Sequence, residues 1–269
     1  MVDRKAHQAS RQPCGDSRMT LQADLRGKRA LVTGASSGLG AYFARTLASS
    51  GAEVILTARR RPQLEAVAEQ IHSDGGRAQT LELDVGSRTS LSEAAGRWGR
   101  LDILINNAGV TNSKPLFEQT EADWDSILGI NLKGAWLVAM EVARTMKAGS
   151  SGGSIINVAS ILGLRQAGHV TPYAVSKAGL VQLTKQLGLE LARFNIRVNA
   201  LAPGYFATEL NEEFFASDAG AALIKRIPQR RLGSLDDLAG PLLLLASDAS
   251  RYMTGTVLAV DGGHLVSSL

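Results

Sequence analysis

Thr33-Gly34-Ala35-Ser36-Ser37-Gly38-Leu39-Gly40 is the stretch on which the fold turns. It follows the apolar run Ala30-Leu31-Val32 and precedes a helical segment, Ala41 to Ser50. A strand, a glycine-rich turn and a helix start make an anion site. Glycines let the backbone approach a pyrophosphate with no Cβ in the way, and the open N–H groups at the helix start supply donors and partial positive charge. Gly34, Ser36, Ser37, Gly38, Leu39 and Gly40 are therefore the candidate phosphate-binding positions. The same pattern also serves as a plain tight turn, and its spacing, Gly-x-x-x-Gly-x-Gly, departs from Gly-x-Gly-x-x-Gly.

Outward from this loop, short β-rich runs alternate with helical stretches: Glu53 to Thr57, Gln79 to Leu83, Ile103 to Ile105, Ser154 to Val158, Ile196 to Ala200 and Thr256 to Val260. Strands separated by helices build parallel βαβ units. Runs such as Ile103-Leu104-Ile105 do not alternate with polar residues, which suits strands covered on both faces. The expected fold is therefore α/β, a doubly wound parallel sheet with helices on both sides. The 269 residues, 45% of them hydrophobic, fit one domain with its own core. Residues 1–24 are read as a flexible polar extension and residues 25–269 as that domain. Asp3 and Asp16 argue against a transit peptide, and Met19 stands just before the first structural segment.

Composition removes several function classes. The net charge is +4, but residues 1–28 hold six Lys/Arg against three Asp, leaving 23 Lys/Arg against 22 Asp/Glu in the rest. The folded part has no basic excess of the kind that captures a phosphate backbone, so no nucleic-acid partner is expected. One cysteine, Cys14, forms no internal disulfide and points to a reducing, cytoplasmic compartment. The longest nearly unbroken apolar run, Leu238 to Ala246, is far short of the roughly 20 residues that cross a bilayer, so no membrane partner is expected. His7, His72, His169 and His264 are scattered, and no metal-ligand spacing is present.

Thr-Gly-x-x-x-Gly-x-Gly resembles the cofactor loop of the short-chain dehydrogenase/reductase family, and the likeness runs from Leu25 to Gly263. It implies a single-domain Rossmann fold with a seven-stranded parallel sheet, and NAD(P)-dependent oxidation and reduction at CH–OH groups. The end of the second strand then selects the cofactor, because a carboxylate there accepts the ribose hydroxyls of NAD while arginine neutralises the 2′-phosphate of NADP. Here it reads Leu56-Thr57-Ala58-Arg59-Arg60-Arg61, with no acid. A charge-assisted bond from Arg59 or Arg60 is worth roughly 1.5 to 3 kcal/mol, one to two decades in favour of NADP(H). By resemblance, Asp84-Val85 contacts adenine, Asn107-Ala108-Gly109 backs the cofactor, and Pro203, Gly204, Phe206 and Thr208 flank the nicotinamide.

Tyr173-Ala174-Val175-Ser176-Lys177 sets a phenol and an ammonium four residues apart, on one face of a helix. A phenol with a pKa near 10 donates a proton well but needs a neighbouring cation to act as a base at neutral pH. At about 4 Å and an effective dielectric of 20, such a cation is worth about 4 kcal/mol. Lys177 is thus expected to lower the Tyr173 pKa while holding the nicotinamide ribose. Ser160 ends the fifth strand, where its hydroxyl can polarise a carbonyl. Asn131 matches the family asparagine that supports a water chain to the lysine, completing the catalytic set Asn131, Ser160, Tyr173 and Lys177.

Leu162, Gln166, His169 and Tyr205 are candidate substrate-pocket residues. Glu209 to Ile227, with Phe214, Phe215, Leu223 and Ile224 among charges, reads equally as a mobile helical lid over the substrate or as a fixed surface helix. Within the family the nearest-looking groups are the 3-oxoacyl-[acyl-carrier-protein] reductases and the sugar or ketone reductases. The first needs a basic rim for an acidic carrier, and Gly149 to Gly153 with Arg193-Phe194-Asn195 offer only Arg193. A non-catalytic NADP-binding regulator is the other alternative, against which both Tyr173 and Lys177 stand. The resemblance also implies a homo-oligomer, dimer or tetramer, and the helices from Asn131 to Met146 and Tyr173 to Arg193 are apolar on more than one face, as subunit contacts or burial would require.

Overall fold

The computed structural model of the chain describes residues 23–150, 152–207 and 212–267. Seven strands form one sheet: β1 (Arg29–Thr33), β2 (Glu53–Ala58), β3 (Arg77–Glu82), β4 (Ile103–Asn106), β5 (Gly153–Val158), β6 (Ile196–Pro203) and β7 (Val257–Val260). Their order is β3-β2-β1-β4-β5-β6-β7, and every pairing is parallel. The direction of strand addition reverses between β1 and β4, the switch point at which open α/β sheets bind ligands.

The helices are α1 (Gly38–Ser49), α2 (Arg61–Ser73), α3 (Arg88–Ala95), α4 (Glu121–Leu128), α5 (Ala135–Ala148), α6 (Thr171–Leu191), α7 (Glu212–Ala216), α8 (Asp218–Ile224) and α9 (Ala239–Ala246). Side-chain parity along the strands decides which of them each residue meets. Ala30, Val32, Ile103, Ile105, Ile156 and Val158 pack with α1, α2 and α9. Their neighbours Leu31, Leu104 and Ile155 face the opposite side, with α3, α5 and α6. The unbroken apolar runs are explained by these two cores, each strand residue being buried whichever way it points.

α1 begins at Gly38, three residues before the segment expected from sequence, so the end of the glycine loop is itself the first helical turn. The stretch expected to form one lid helix is two short helices, α7 and α8, separated at Ser217, whose hydroxyl accepts the Gly220 N–H and caps the second. Continuous helix from Glu121 to Ala148 covers 28 residues and is long and apolar enough to cross a membrane, which no single sequence run suggested. Its inner face, Val138, Ala139, Val142, Ala143 and Met146, is buried against the sheet, so its apolar content serves the core. Midway, Gly129–Gly134 forms a π-helical turn joining α4 to α5.

Candidate active site

The glycine loop is shaped by contacts that leave no room for side chains. Gly34 has φ +67, and a Cβ there would stand 2.9 Å from Ala108 Cα; one on Gly40 would stand 2.2 Å from the Gly34 carbonyl oxygen. Gly38 has φ +54 and open space in front of it. The first two hold the loop against β4 and the start of α1, and the third leaves the helix N-terminus accessible to an anion. Thr33 and Asn107 fix the loop from behind. Thr33 Oγ1 accepts the N–H groups of Asn107 (2.9 Å) and Ala108 (3.0 Å), and Asn107 Nδ2 donates to the Thr33 and Gly34 carbonyls at 3.0 and 3.3 Å.

Arg60, just before α2, reaches back across the crevice and donates to Ser36 Oγ (3.1 Å) and Ser37 Oγ (3.3 Å). The guanidinium and the loop hydroxyls thus bound one place where a phosphate on the adenosine ribose would sit. Arg59 is exposed beside it. Asp84, beyond β3, turns its carboxylate onto the Gly86 N–H at 2.9 Å, and Val85 next to it is buried. Glycine positions that a Cβ would block, a helix N-terminus and a cation over two hydroxyls together fit a phosphorylated dinucleotide.

Across the switch point lies the second group. Ser160 follows β5, caps a short turn by accepting the Leu162 N–H at 3.1 Å, and is nearly buried. Tyr173 and Lys177 lie one turn apart on α6, with the Lys177 ammonium 5.7 Å from the centre of the Tyr173 ring. Lys177 Nζ donates to the Val158 carbonyl at 2.7 Å. Asn131 sits in the π-helical turn, bound to Val110 through both backbone groups at 2.8 Å and to Ser176 Oγ at 3.1 Å. Between them is Gly109, where a Cβ would be 3.3 Å from Asn131 Oδ1 and 3.6 Å from Lys177 Nζ. All four catalytic candidates therefore converge at the C-terminal edge of the sheet, Asn131, Gly109 and Lys177 as immediate neighbours.

The electrostatics differ from the expectation in one respect. Burial pushes the Tyr173 phenol above its ordinary value, with a hydrogen bond from Ser160 pulling the other way. The Lys177 ammonium is the stressed partner, since burial holds its pKa down at about 8. The expected lowering of the phenol by Lys177 is thus not seen in the protein alone, where burial sets the direction for each group.

Pro203 ends β6, and Gly204 donates its N–H to the Val260 carbonyl at 2.8 Å, where a Cβ would press on Asp261. Phe206 is buried with its ring over Gly233. Thr208 lies outside the described residues. Of the expected pocket residues, Leu162 and Tyr205 are half-buried, while Gln166 and His169 are exposed. His169 adopts φ +66, and its carbonyl accepts the Lys114 N–H, tying the loop after β4 to the turn that carries Ser160. Of the segments weighed above as a carrier-protein rim, Gly149, Ser150 and Gly152 precede β5, Gly153 begins it and Arg193 to Asn195 precede β6, so they lie at the opposite end of the strands from Ser160. That they offer only Arg193 says nothing about the active-site mouth.

Sequence reasoning missed Thr33 and Arg165. The Arg165 guanidinium donates to the carbonyl of His264, 99 positions away, a separation at which no local pattern signals a contact. Among the described residues no group of His, Cys, Asp and Glu could hold a metal ion.

A dinucleotide loop and a Ser-Tyr-Lys centre on one doubly wound sheet define an oxidoreductase. A family model described as enoyl-(acyl carrier protein) reductase matches residues 34–264, and the chain belongs to that family, among the short-chain dehydrogenases/reductases. It is 37% identical over 246 residues to the 3-oxoacyl-[acyl-carrier-protein] reductase of Thermotoga maritima, covering 90% of this chain and 99% of that one. It is equally 37% identical over 246 residues to the 2-dehydro-3-deoxy-D-gluconate 5-dehydrogenase of Escherichia coli, covering 90% and 96%. A solved gluconate 5-dehydrogenase from Burkholderia cenocepacia, in complex with NADP and tartrate, superposes with a TM-score of 0.87 at 36% identity over 92% of this chain and 98% of that one.

Proposed function

We propose that the protein is an NADP(H)-dependent oxidoreductase interconverting a carbonyl and a secondary alcohol, with Asn131, Ser160, Tyr173 and Lys177 as its catalytic residues. The observation that carries this reading is the convergence of Ser160, Tyr173 and Lys177 at the sheet edge that also holds the glycine loop and Arg60. The bound nicotinamide ring supplies or accepts a hydride at C4.

The chain's own residues do the rest. Ser160 donates a hydrogen bond to the carbonyl oxygen, where negative charge develops. Tyr173 gives its phenolic proton to that oxygen in reduction and takes it back in oxidation, so hydride and proton together convert carbonyl to alcohol. Lys177 compensates the phenolate and holds the ribose hydroxyls, and Asn131 steadies the proton path to Lys177. Gly34, Ser36, Ser37, Gly38, Leu39 and Gly40 bind the pyrophosphate side, with Arg59 and Arg60 on the 2′-phosphate. Asp84 and Val85 bind adenine, Asn107, Ala108 and Gly109 back the cofactor, and Pro203, Gly204, Phe206 and Thr208 flank the nicotinamide. NADP in the Burkholderia enzyme supports the cofactor assignment.

A second reading, reduction of a 3-oxoacyl thioester on a carrier protein, is favoured by the Thermotoga relative. We further propose a cytoplasmic location, from the single cysteine, and a homo-oligomer, dimer or tetramer, because the apolar side chains Trp136 on α5 and Leu189 on α6 are 43% and 75% exposed. Titration with NADPH and NADH, followed by NADPH oxidation against ketosugars, keto acids, small diketones and ketoacyl thioesters, tests the function. Tighter NADPH binding with turnover of a free carbonyl compound supports the main reading, and turnover of thioesters alone selects the second. NADPH binding with no turnover of any carbonyl overturns both.

A further inference from the structure

β5, β6 and β7 are adjacent, and their C-terminal ends deliver three polar segments side by side: Ser160 with the turn behind it, Tyr205, and Asp261 to His264. Arg165 belongs to the first, its N–H bonded to Ile161 O at 2.8 Å, five residues beyond the catalytic serine. Its guanidinium crosses to the third segment and donates to the His264 carbonyl. The Tyr205 ring lies 5.5 Å from the His264 ring and 6.1 Å from Phe215, and its hydroxyl is close enough to Tyr173 to oppose the ionisation of that phenol.

Two features of this cluster lack an explanation in fold or hydride transfer. His264 is 94% buried, yet its Nδ1 has no hydrogen-bond partner, which is an uncommon and costly state for a buried polar atom. The charge here is also unbalanced. Arg165 and Arg226 both bear on His264, and with burial they hold its pKa below the ordinary value. The acid opposing them, Asp261, has its two oxygens bonded to the N–H groups of Gly263 (2.9 Å) and Leu265 (2.7 Å). A guanidinium has five N–H donors, and one is directed to the His264 carbonyl.

We propose that Arg165, with Tyr205 and His264, is a specificity-determining site on the substrate side, and that the substrate carries a carboxylate held by the Arg165 guanidinium. The claim rests on the carbonyl–alcohol reading above and names its substrate class as hydroxy and keto acids. A planar guanidinium matches a carboxylate through two parallel bonds, and the Tyr205 hydroxyl supplies a further donor. Arg165 is half-buried while Arg226 is exposed, and one partly desolvated cation suits a monoanion better than a dianionic phosphate.

The test compares NADPH oxidation with a six-carbon keto acid, the neutral ketose of the same length and that ketose's phosphate ester, for wild type, Arg165→Gln and Arg165→Lys. Glutamine keeps a donor for the His264 carbonyl and removes the charge. Wild type should favour the keto acid over the neutral ketose by at least about tenfold in kcat/KM, as one charge-assisted pair allows. Arg165→Gln should erase that preference through the KM of the acid, and Arg165→Lys should restore part of it. Equal use of acid and neutral ketose by wild type overturns the proposal, as does preference for the phosphate ester. So does a glutamine variant that raises both KM values by one factor, which would make Arg165 a clamp on the C-terminal segment. NADPH binding without turnover of any carbonyl overturns the reading beneath it instead.

Discussion

The two halves of the sheet make their sites by opposite means. On the β1–β4 side the site is defined by what is missing, since Gly34 and Gly40 touch backbone where any Cβ would collide and Gly38 keeps a helix end open. On the β5–β7 side it is defined by side chains brought into poor solvation, with a buried ammonium at Lys177, a desolvated phenol at Tyr173 and an unpartnered ring nitrogen on His264. Binding is thus built from backbone, and chemistry from side chains held where water would otherwise stabilise their charge less specifically.

Mutations should separate the halves. Removing only the Tyr173 hydroxyl, as in Tyr173→Phe, should cut turnover by about 10²- to 10⁴-fold, the range of a lost general acid, while NADPH affinity measured by fluorescence titration moves little. Retained turnover would show that the chemistry does not reside where the side chains are stressed. Gly40→Ala should produce the reverse pattern. Its new methyl meets the Gly34 carbonyl, an overpacking cost of about 1 to 3 kcal/mol that should weaken NADPH and NADH alike by about 5- to 150-fold. Unchanged binding would mean the loop yields and the backbone argument fails.

Arg60→Ala sharpens the binding half further. Loss of one charge-assisted bond, about 1.5 to 3 kcal/mol, should raise the NADPH dissociation constant tenfold or more and leave NADH nearly unchanged. Equal losses would remove the 2′-phosphate from this arginine. The smallest effect concerns stability. Lys177 has a folded pKa of about 8 against an ordinary 10.5, so its burial disfavours the folded state below pH 8, and that penalty fades as pH rises to 10.5. Lys177→Met should abolish turnover yet raise Tm at pH 7 by a few degrees, about 1 kcal/mol after allowing for the lost bond to Val158, with the gain shrinking between pH 8 and 10.5. A lower Tm at pH 7 would show that the ammonium is better accommodated than its surroundings indicate.

The same contrast governs what the sequence disclosed. Glycine spacing, unbroken apolar strands and the Tyr-x-x-x-Lys step are local, and each corresponds to an element or contact found in the structure. The two-helix form of the lid was hidden because Ser217, an ordinary polar residue in sequence, acts there as a cap. The supposed carrier-binding rim was misplaced because a loop's position along the chain does not state which end of the strand it adjoins, and residues before β5 and β6 stand opposite the site. Arg165 and Thr33 were illegible for a third reason, since their partners are separated from them by 99 and 74 positions and only tertiary packing brings them together.

The π-helical turn at Gly129–Gly134 carries a lesson in tolerance to length change. A wide turn holds one residue more than a regular helix needs, so a single deletion within it would be absorbed as ordinary helix, with every hydrogen bond remade. The rungs on either side would stay nearly in phase, because a wide turn sweeps about the same angle as an ordinary turn with one residue fewer. Val138 and Val142 would keep facing the sheet, while Asn131, inside the turn, would lose the position from which it meets Val110 and Ser176. A chain shortened here should fold to a helix of normal appearance and lose its catalytic geometry, so this is a segment whose length is as constrained as its composition.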